Sequence, residues 1–146
     1  MKANEATQTV EQSDYVVRRR KLSRILRRYY ILPSRMRNIE LQIQRAESKV
    51  LVASYEYDTV KQAGTKDPTA RITELKEELA FLKEERELFE QFRSVLPGHL
   101  TEIWELLYNP KHGYNNTQVK TQLRYSNQLF YNYKNQLFDL VEEAFQ

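Results

Sequence analysis

Five apolar residues, Met36, Ile39, Ile43, Ala46 and Val50, recur at intervals of three, four, three and four. That spacing holds one stripe of an α-helix against a partner helix over several turns, as a coiled-coil seam does. A matching seam follows as Ile72, Leu75, Leu79 and Leu82, continued by Phe89 and Leu96, with Arg86 and Arg93 at two positions where apolar residues are expected. Asp67-Pro68 predicts the start of this later helix, a capping acid ahead of a proline at the first helical position. Pro97-Gly98 predicts its end. The stretch from about Leu51 to Lys66 contains Gly64 and several β-branched or aromatic residues, and is expected to form the connection. Two such seams predict an antiparallel helical hairpin. Stripes of this kind are packing material. Phe81, Leu88 and Phe92 widen the later one, so a second subunit or the C-terminal module is expected to cover the surplus.

Three glycines and four prolines among 146 residues leave little material for corners, so few turns and long helices are expected. Residues 1–13 are polar and aperiodic, and are expected to fray. Ser13 or Asp14 can cap a helix running through about Arg28, with Leu22, Ile25, Leu26 and Tyr29 on one side. Pro33 lacks an N–H and restricts its predecessor, which predicts a new helix or a bent continuation. The absence of cysteine excludes disulfides and argues against structural zinc. His99 and His112 have no partners at ligand spacing, and no Gly-rich phosphate loop or nucleophile with a base is present. Neither enzymatic activity, a metal nor another cofactor is therefore expected. Glu84-Glu85 and Glu142-Glu143 point about 100° apart on a helix and cannot act as acid/base dyads. No apolar run approaches the roughly eighteen residues needed to cross a bilayer, and the polar N-terminus does not resemble a signal peptide. An intracellular protein without a membrane partner is expected.

Charge is sorted along the chain. Arg18, Arg19, Arg20, Lys21, Arg24, Arg27, Arg28, Arg35 and Arg37 place nine cations within residues 18–37. From Thr73 to Glu90 there are seven glutamates against three cations. The arginine-rich helix, Arg18 to Arg28 above all, can serve as a basic patch that releases counterions from a phosphate backbone. It can equally pair with the acidic helix inside the fold.

The C-terminal third is the most specific. Leu100, Ile103, Trp104, Leu107 and Tyr108 give another amphipathic face, with Trp104 as its core, and Asn109 to Gly113 form a turn-rich connector. Val119 and Leu123 lie one turn apart on a short helix, Arg124-Tyr125 make a corner, and Ser126 can cap a second helix. Leu129, Phe130, Tyr133, Leu137, Leu140, Val141 and Ala144 mark the apolar face of that helix. Asn127, Gln128, Tyr131, Asn132, Lys134 and Asn135 are assigned to the opposite face. Amides of this kind pair bidentately with an adenine edge in the major groove. Asn127, Gln128, Tyr131 and Asn132 are accordingly expected to face bases, Lys120, Arg124, Ser126 and Lys134 to face phosphates, and Asn135 to belong to the same DNA-binding surface. Between Thr117 and Phe138 there are three cations and no acid.

Ile103-Trp104-Glu105-Leu106-Leu107-Tyr108, Thr117-Gln118-Val119, Leu123-Arg124-Tyr125-Ser126 and Phe130-Tyr131-Asn132-Tyr133-Lys134 together resemble the helix-turn-helix of sigma-factor region 4. With the basic N-terminal helix and coiled centre, the chain resembles the small phage transcriptional regulators of the RinA/ArpU kind. Arg124 stands where such a turn usually carries glycine or another small residue. Spacing and turn signals predict an all-α fold, with N-terminal helices and an antiparallel hairpin followed by a C-terminal helix-turn-helix, divided into a frayed segment at 1–13, a basic helix plus hairpin at 14–97 and a DNA-binding module at 98–146. The resemblance implies that the second helix of that module enters the major groove of a promoter. The implied function is sequence-specific transcriptional regulation, activating late or packaging genes of phages or mobile elements in the cytoplasm of a bacterial host. Double-stranded DNA is the implied partner, with RNA polymerase and a second copy of the chain as further candidates. Two alternatives stay open: a small-terminase-like DNA-packaging subunit, and a helical adaptor with no nucleic-acid role.

Overall fold

The computed structural model describes the backbone at residues 2–56 and 68–145, and side chains at 13–52 and 68–145. The fold is all-α: α1 (Lys2–Glu56), α2 (Pro68–Val95), α3 (Gly98–Tyr108), α4 (Asn116–Leu123) and α5 (Asn127–Ala144), with no strand among the described residues. The expected end of the hairpin at Pro97-Gly98 holds, since α2 stops at Val95 and Pro97 is the N-cap of α3. α2 begins at Pro68 as expected, while its partner in that signal, Asp67, lies outside the described residues.

α1 corrects two expectations. It starts at Lys2, so Ser13 and Asp14 lie inside the helix instead of capping it. It also runs past Leu51 to Glu56, into the expected connection, of which residues 57–66 lie outside the described residues. At Pro33 the same helix continues, one of the two outcomes expected there. The sequence up to Glu56 contains no glycine and no other proline, so nothing else interrupts the helical repeat. A proline inside a helix costs about 3 kcal/mol. Here its ring faces solvent, and the neighbouring Leu32, Ile39 and Ile43 are buried, so packing outweighs the lost bond.

The molecule divides into two compact units, residues 31–90 and residues 1–30 with 91–146. This differs from the expected division at 97/98 because the boundaries fall within α1 and α2 and not in turns. In the unit of 31–90, Ile39 and Ile43 of α1 and Leu75, Leu82 and Phe89 of α2 are buried. Lys76 Nζ lies 3.6 Å from a carboxylate oxygen of Glu47. Met36 shares a groove with Lys83, Arg86, Glu87 and Glu90. Later residues of α1 thus meet earlier residues of α2, which makes the pair antiparallel, as the seams predict.

The other unit is built around Trp104, fully buried with Leu22, Leu26, Ile103, Val119, Phe130, Leu137 and Val141. The Trp104 indole N–H donates to the Leu26 carbonyl at 2.8 Å. Beside it, one carboxylate gathers four partners. Tyr30 donates to Glu105 Oε2 at 2.7 Å, Arg93 Nη2 to the same oxygen at 3.1 Å, and Asn109 Nδ2 to Oε1 at 2.8 Å. His112 Nε2 stands 3.3 Å from Oε1. Arg93 is also stacked 5.1 Å from the Tyr29 ring and 5.0 Å from that of Trp104. This explains a cation at an apolar seam position, since a planar guanidinium stacks on aromatic faces while its edge bonds a carboxylate. Burial alone would raise the Glu105 pKa, but bonds from Tyr30, Asn109, Arg93 and His112 more than offset it and hold it at about 2.

Candidate nucleic-acid interface

α4 is fixed at both ends by its own residues. Asn115 Oδ1 accepts from Gln118 N at 2.9 Å, and Gln118 Oε1 accepts from Asn115 N at 2.9 Å, a reciprocal capping box. At the other end Arg124 adopts φ 58° and ψ 40°, the left-handed conformation. That is the conformation a glycine usually supplies at a helix C-terminus. Here an arginine supplies it, and Tyr125 N then donates to Lys120 O at 3.0 Å. Ser126 caps α5 as expected, its hydroxyl oxygen accepting from Leu129 N at 3.2 Å.

α5 buries Phe130, Lys134, Leu137, Phe138 and Val141. Its other side is open: Asn127, Gln128, Tyr131, Asn132 and Asn135 are all exposed. Gln128, Asn132 and Asn135 follow one another at spacings of four and three, so they line one stripe over the first half of the helix. Two further residues belong to this surface and were not assigned to it from sequence. Leu129, expected on the apolar face, is 37 % exposed. Gln136 is exposed seven residues later, on the same side as Asn132. An apolar tip among amides is a means of touching a thymine methyl. The spacing alone could have found it, because Leu129 lies about 120° from the mean direction of Phe130, Leu137, Phe138 and Val141.

Lys120 reaches across the turn. Its ammonium donates to Asn127 Oδ1 at 2.7 Å and lies 5.4 Å from the centre of the Tyr131 ring. Lys120, Asn127 and Tyr131 therefore form one cluster beside the amide stripe. Arg124 is exposed at the corner, and Ser126 is exposed but committed to its cap.

Lys134 overturns its assignment. It is 5 % exposed, on the apolar side of α5, and not on the polar face. Its Nζ donates to Asn116 Oδ1 at 3.2 Å and lies 5.6 Å from the centre of the Phe138 ring. Burial, and then the nearby charge of Arg19, lower its pKa to about 8. The sequence held the signal: Lys134 stands four residues after Phe130 and four before Phe138, inside the apolar stripe.

The arginine-rich part of α1 belongs to the same compact unit as α5. Arg18 is taken up internally, donating from Nη2 to Asp139 Oδ1 at 2.8 Å and from Nε to Glu142. Its acids come from α5 and not from the acidic stretch Thr73 to Glu90. Arg19, Arg20, Arg24 and Arg27 line a shallow groove with Val16 and Ser23. Arg19 stacks 5.5 Å from the Tyr15 ring and Arg27 5.8 Å from that of Tyr108. Arg20, Lys21, Arg24 and Arg27 are exposed, and Arg28 is half-buried. Among the described residues no group of acids and histidines could hold a metal, and no helix is long and apolar enough to cross a membrane. No family model matches the chain, and no curated protein or solved structure does either.

Proposed function

We propose that this protein binds double-stranded DNA, with α4, the Arg124-Tyr125-Ser126 turn and α5 acting as a helix-turn-helix whose second helix enters the major groove. Within that class it is a sequence-specific transcriptional regulator of the RinA/ArpU kind, activating late or packaging genes of a phage or mobile element. The observation that carries this reading is the open stripe of Gln128, Asn132 and Asn135 on the first half of α5, with no acid before Asp139. A side-chain amide presents donor and acceptor together, which matches N6 and N7 of adenine. Acids that would repel phosphates begin only at Asp139, and that carboxylate is already paired with Arg18. Lys120, bonded to Asn127 beside the stripe, and Arg124, exposed at the corner, supply cations for a duplex backbone. The exposed cations of α1 add sequence-independent affinity by counterion release.

The test is selection from a random duplex pool with the purified protein, followed by footprinting of the enriched site. A defined motif should emerge. Gln128→Ala and Asn132→Ala should each cost about 1–3 kcal/mol and relax preference at one base pair. Failure to enrich any motif, or variants that read the site as the parent does, refutes the assignment.

A further inference from the structure

The unit of residues 31–90 carries two apolar stripes that its own seam leaves uncovered. On α2, Phe81 is 65 % exposed and Leu88, one heptad later, is 57 % exposed. On α1, Ile31, Leu41 and Val52 are 46 %, 41 % and 54 % exposed. At about 100° per residue the three α1 positions fall within an arc of roughly 80°, turned away from the buried Ile39 and Ile43.

The charges around the two stripes are of opposite sign. Glu77, Glu78 and Glu84 lie within about 60° of the line of Phe81 and Leu88, whereas Arg71, Lys76, Lys83 and Arg86 project about 80° or more away from it. Arg45 and Lys49 fall within the arc of Ile31, Leu41 and Val52 and Arg37 lies about 40° beyond Leu41, whereas Glu40 and Glu47 lie about 100° or more outside it. The three glutamates and three cations are all exposed. Among the described residues, the ion pairs Arg71–Glu74, Lys76–Glu47 and Arg86–Glu90 use none of the six.

We propose that these stripes meet between two copies of the chain. The basic stripe of α1 in one copy lies over the acidic stripe of α2 in the other, and the reciprocal contact forms at the same time. A two-fold axis running along the helices produces this arrangement, an isologous four-helix interface. Charge selects it: stacking α2 on its own copy would set Glu77, Glu78 and Glu84 against the same glutamates, and stacking α1 on α1 would oppose Arg37, Arg45 and Lys49. The apolar stripes supply the attraction and the flanking charges fix which helix meets which. Helices of this length, roughly 30 Å, can bury the area of about 1,200–2,000 Å² that a specific interface needs when two pairs stack. Such an axis keeps the levels of the helices. Glu47 is level with Lys76, and Met36 with residues near Arg86, which brings Leu41 opposite Phe81 of the second copy.

The pairing needs no nucleic acid, so it is tested on the full chain alone. Sedimentation equilibrium should give a dimer, and Phe81→Glu with Leu88→Glu should convert it to a monomer of unchanged helix content. The chain has no cysteine, so introduced thiols are its only ones. Leu41→Cys mixed with Phe81→Cys should form a covalent dimer with a short bismaleimide, and neither variant should do so alone. A chain that is monomeric at every soluble concentration overturns the proposal, and leaves the face to a different partner. So does a dimer that survives the double glutamate variant, or Phe81→Cys cross-linking to itself.

Discussion

Lys134 makes a prediction that separates burial from DNA contact. Its ammonium is held in an apolar setting with one bond to Asn116, and its pKa falls from 10.5 to about 8. Each pKa unit corresponds to about 1.4 kcal/mol, so the charged lysine disfavours the fold by about 3 kcal/mol as an upper bound. The sign follows from proton counting. Between about pH 8 and 10.5 the unfolded chain holds this proton and the folded chain releases it, so stability rises with pH across that window. Below pH 8 both states are charged and the full penalty is present. Lys134→Met removes the penalty and keeps the methylene packing, at the loss of the bond to Asn116, which is itself partly exposed. The variant should therefore be more stable at pH 7 by about 1–2 kcal/mol. Urea unfolding at pH 7, 8 and 9.5 measures this, and the gap between the two proteins should narrow as pH rises. The range stops below pH 10 because burial raises the pKa of Tyr30 and of Tyr108, and both then work in the opposite direction. DNA affinity should not change. A variant less stable at pH 7, a gap independent of pH, or a large loss of DNA binding would each refute the reasoning.

Glu105→Gln should destabilise the protein at neutral pH by about 2 kcal/mol, discounted for partial exposure, because Arg93 loses its countercharge. The lowered pKa of Glu105 gives stability that is complete above about pH 4.5 and is lost as pH falls towards 2, so wild type and variant should converge in acid denaturation over that range. Arg124→Gly should raise the melting temperature, by an amount corresponding to about 1 kcal/mol, because the left-handed backbone there strains any residue with a Cβ; an unchanged or lower value would count against the strain. Arg18→Ala frees Asp139 and Glu142 beside the amide stripe, so DNA affinity at low salt should fall roughly three- to tenfold, with the difference closing at high salt.

The helices were legible where spacing decides them. The seam of Met36 to Val50 and its partner from Ile72 gave the antiparallel pair, and Ser126 marked the start of α5 through a cap that is purely local. Pro33 left two outcomes open, a new helix or a continuation, and burial on either side of it decides for continuation, which the neighbouring sequence does not weigh. Lys134 was misplaced because a charged residue type suggests solvent, whereas its position in the helical period lies among apolar neighbours. The carboxylate hub at Glu105 was not legible as a whole. Asn109 and His112 are local to Glu105, but Tyr30 and Arg93 come from two distant helices, and only packing around Trp104 brings them within reach.

That hub also bears on how the chain can change through descent. Losing Tyr30, Arg93 or Glu105 singly strands a desolvated polar group, whereas exchanging all three for hydrocarbon of similar volume removes donor, cation and anion at once. A lineage drifting one substitution at a time meets a barrier at each of these positions. Divergent descendants should therefore fall into two groups, those that keep the whole trio and those that have abandoned it together.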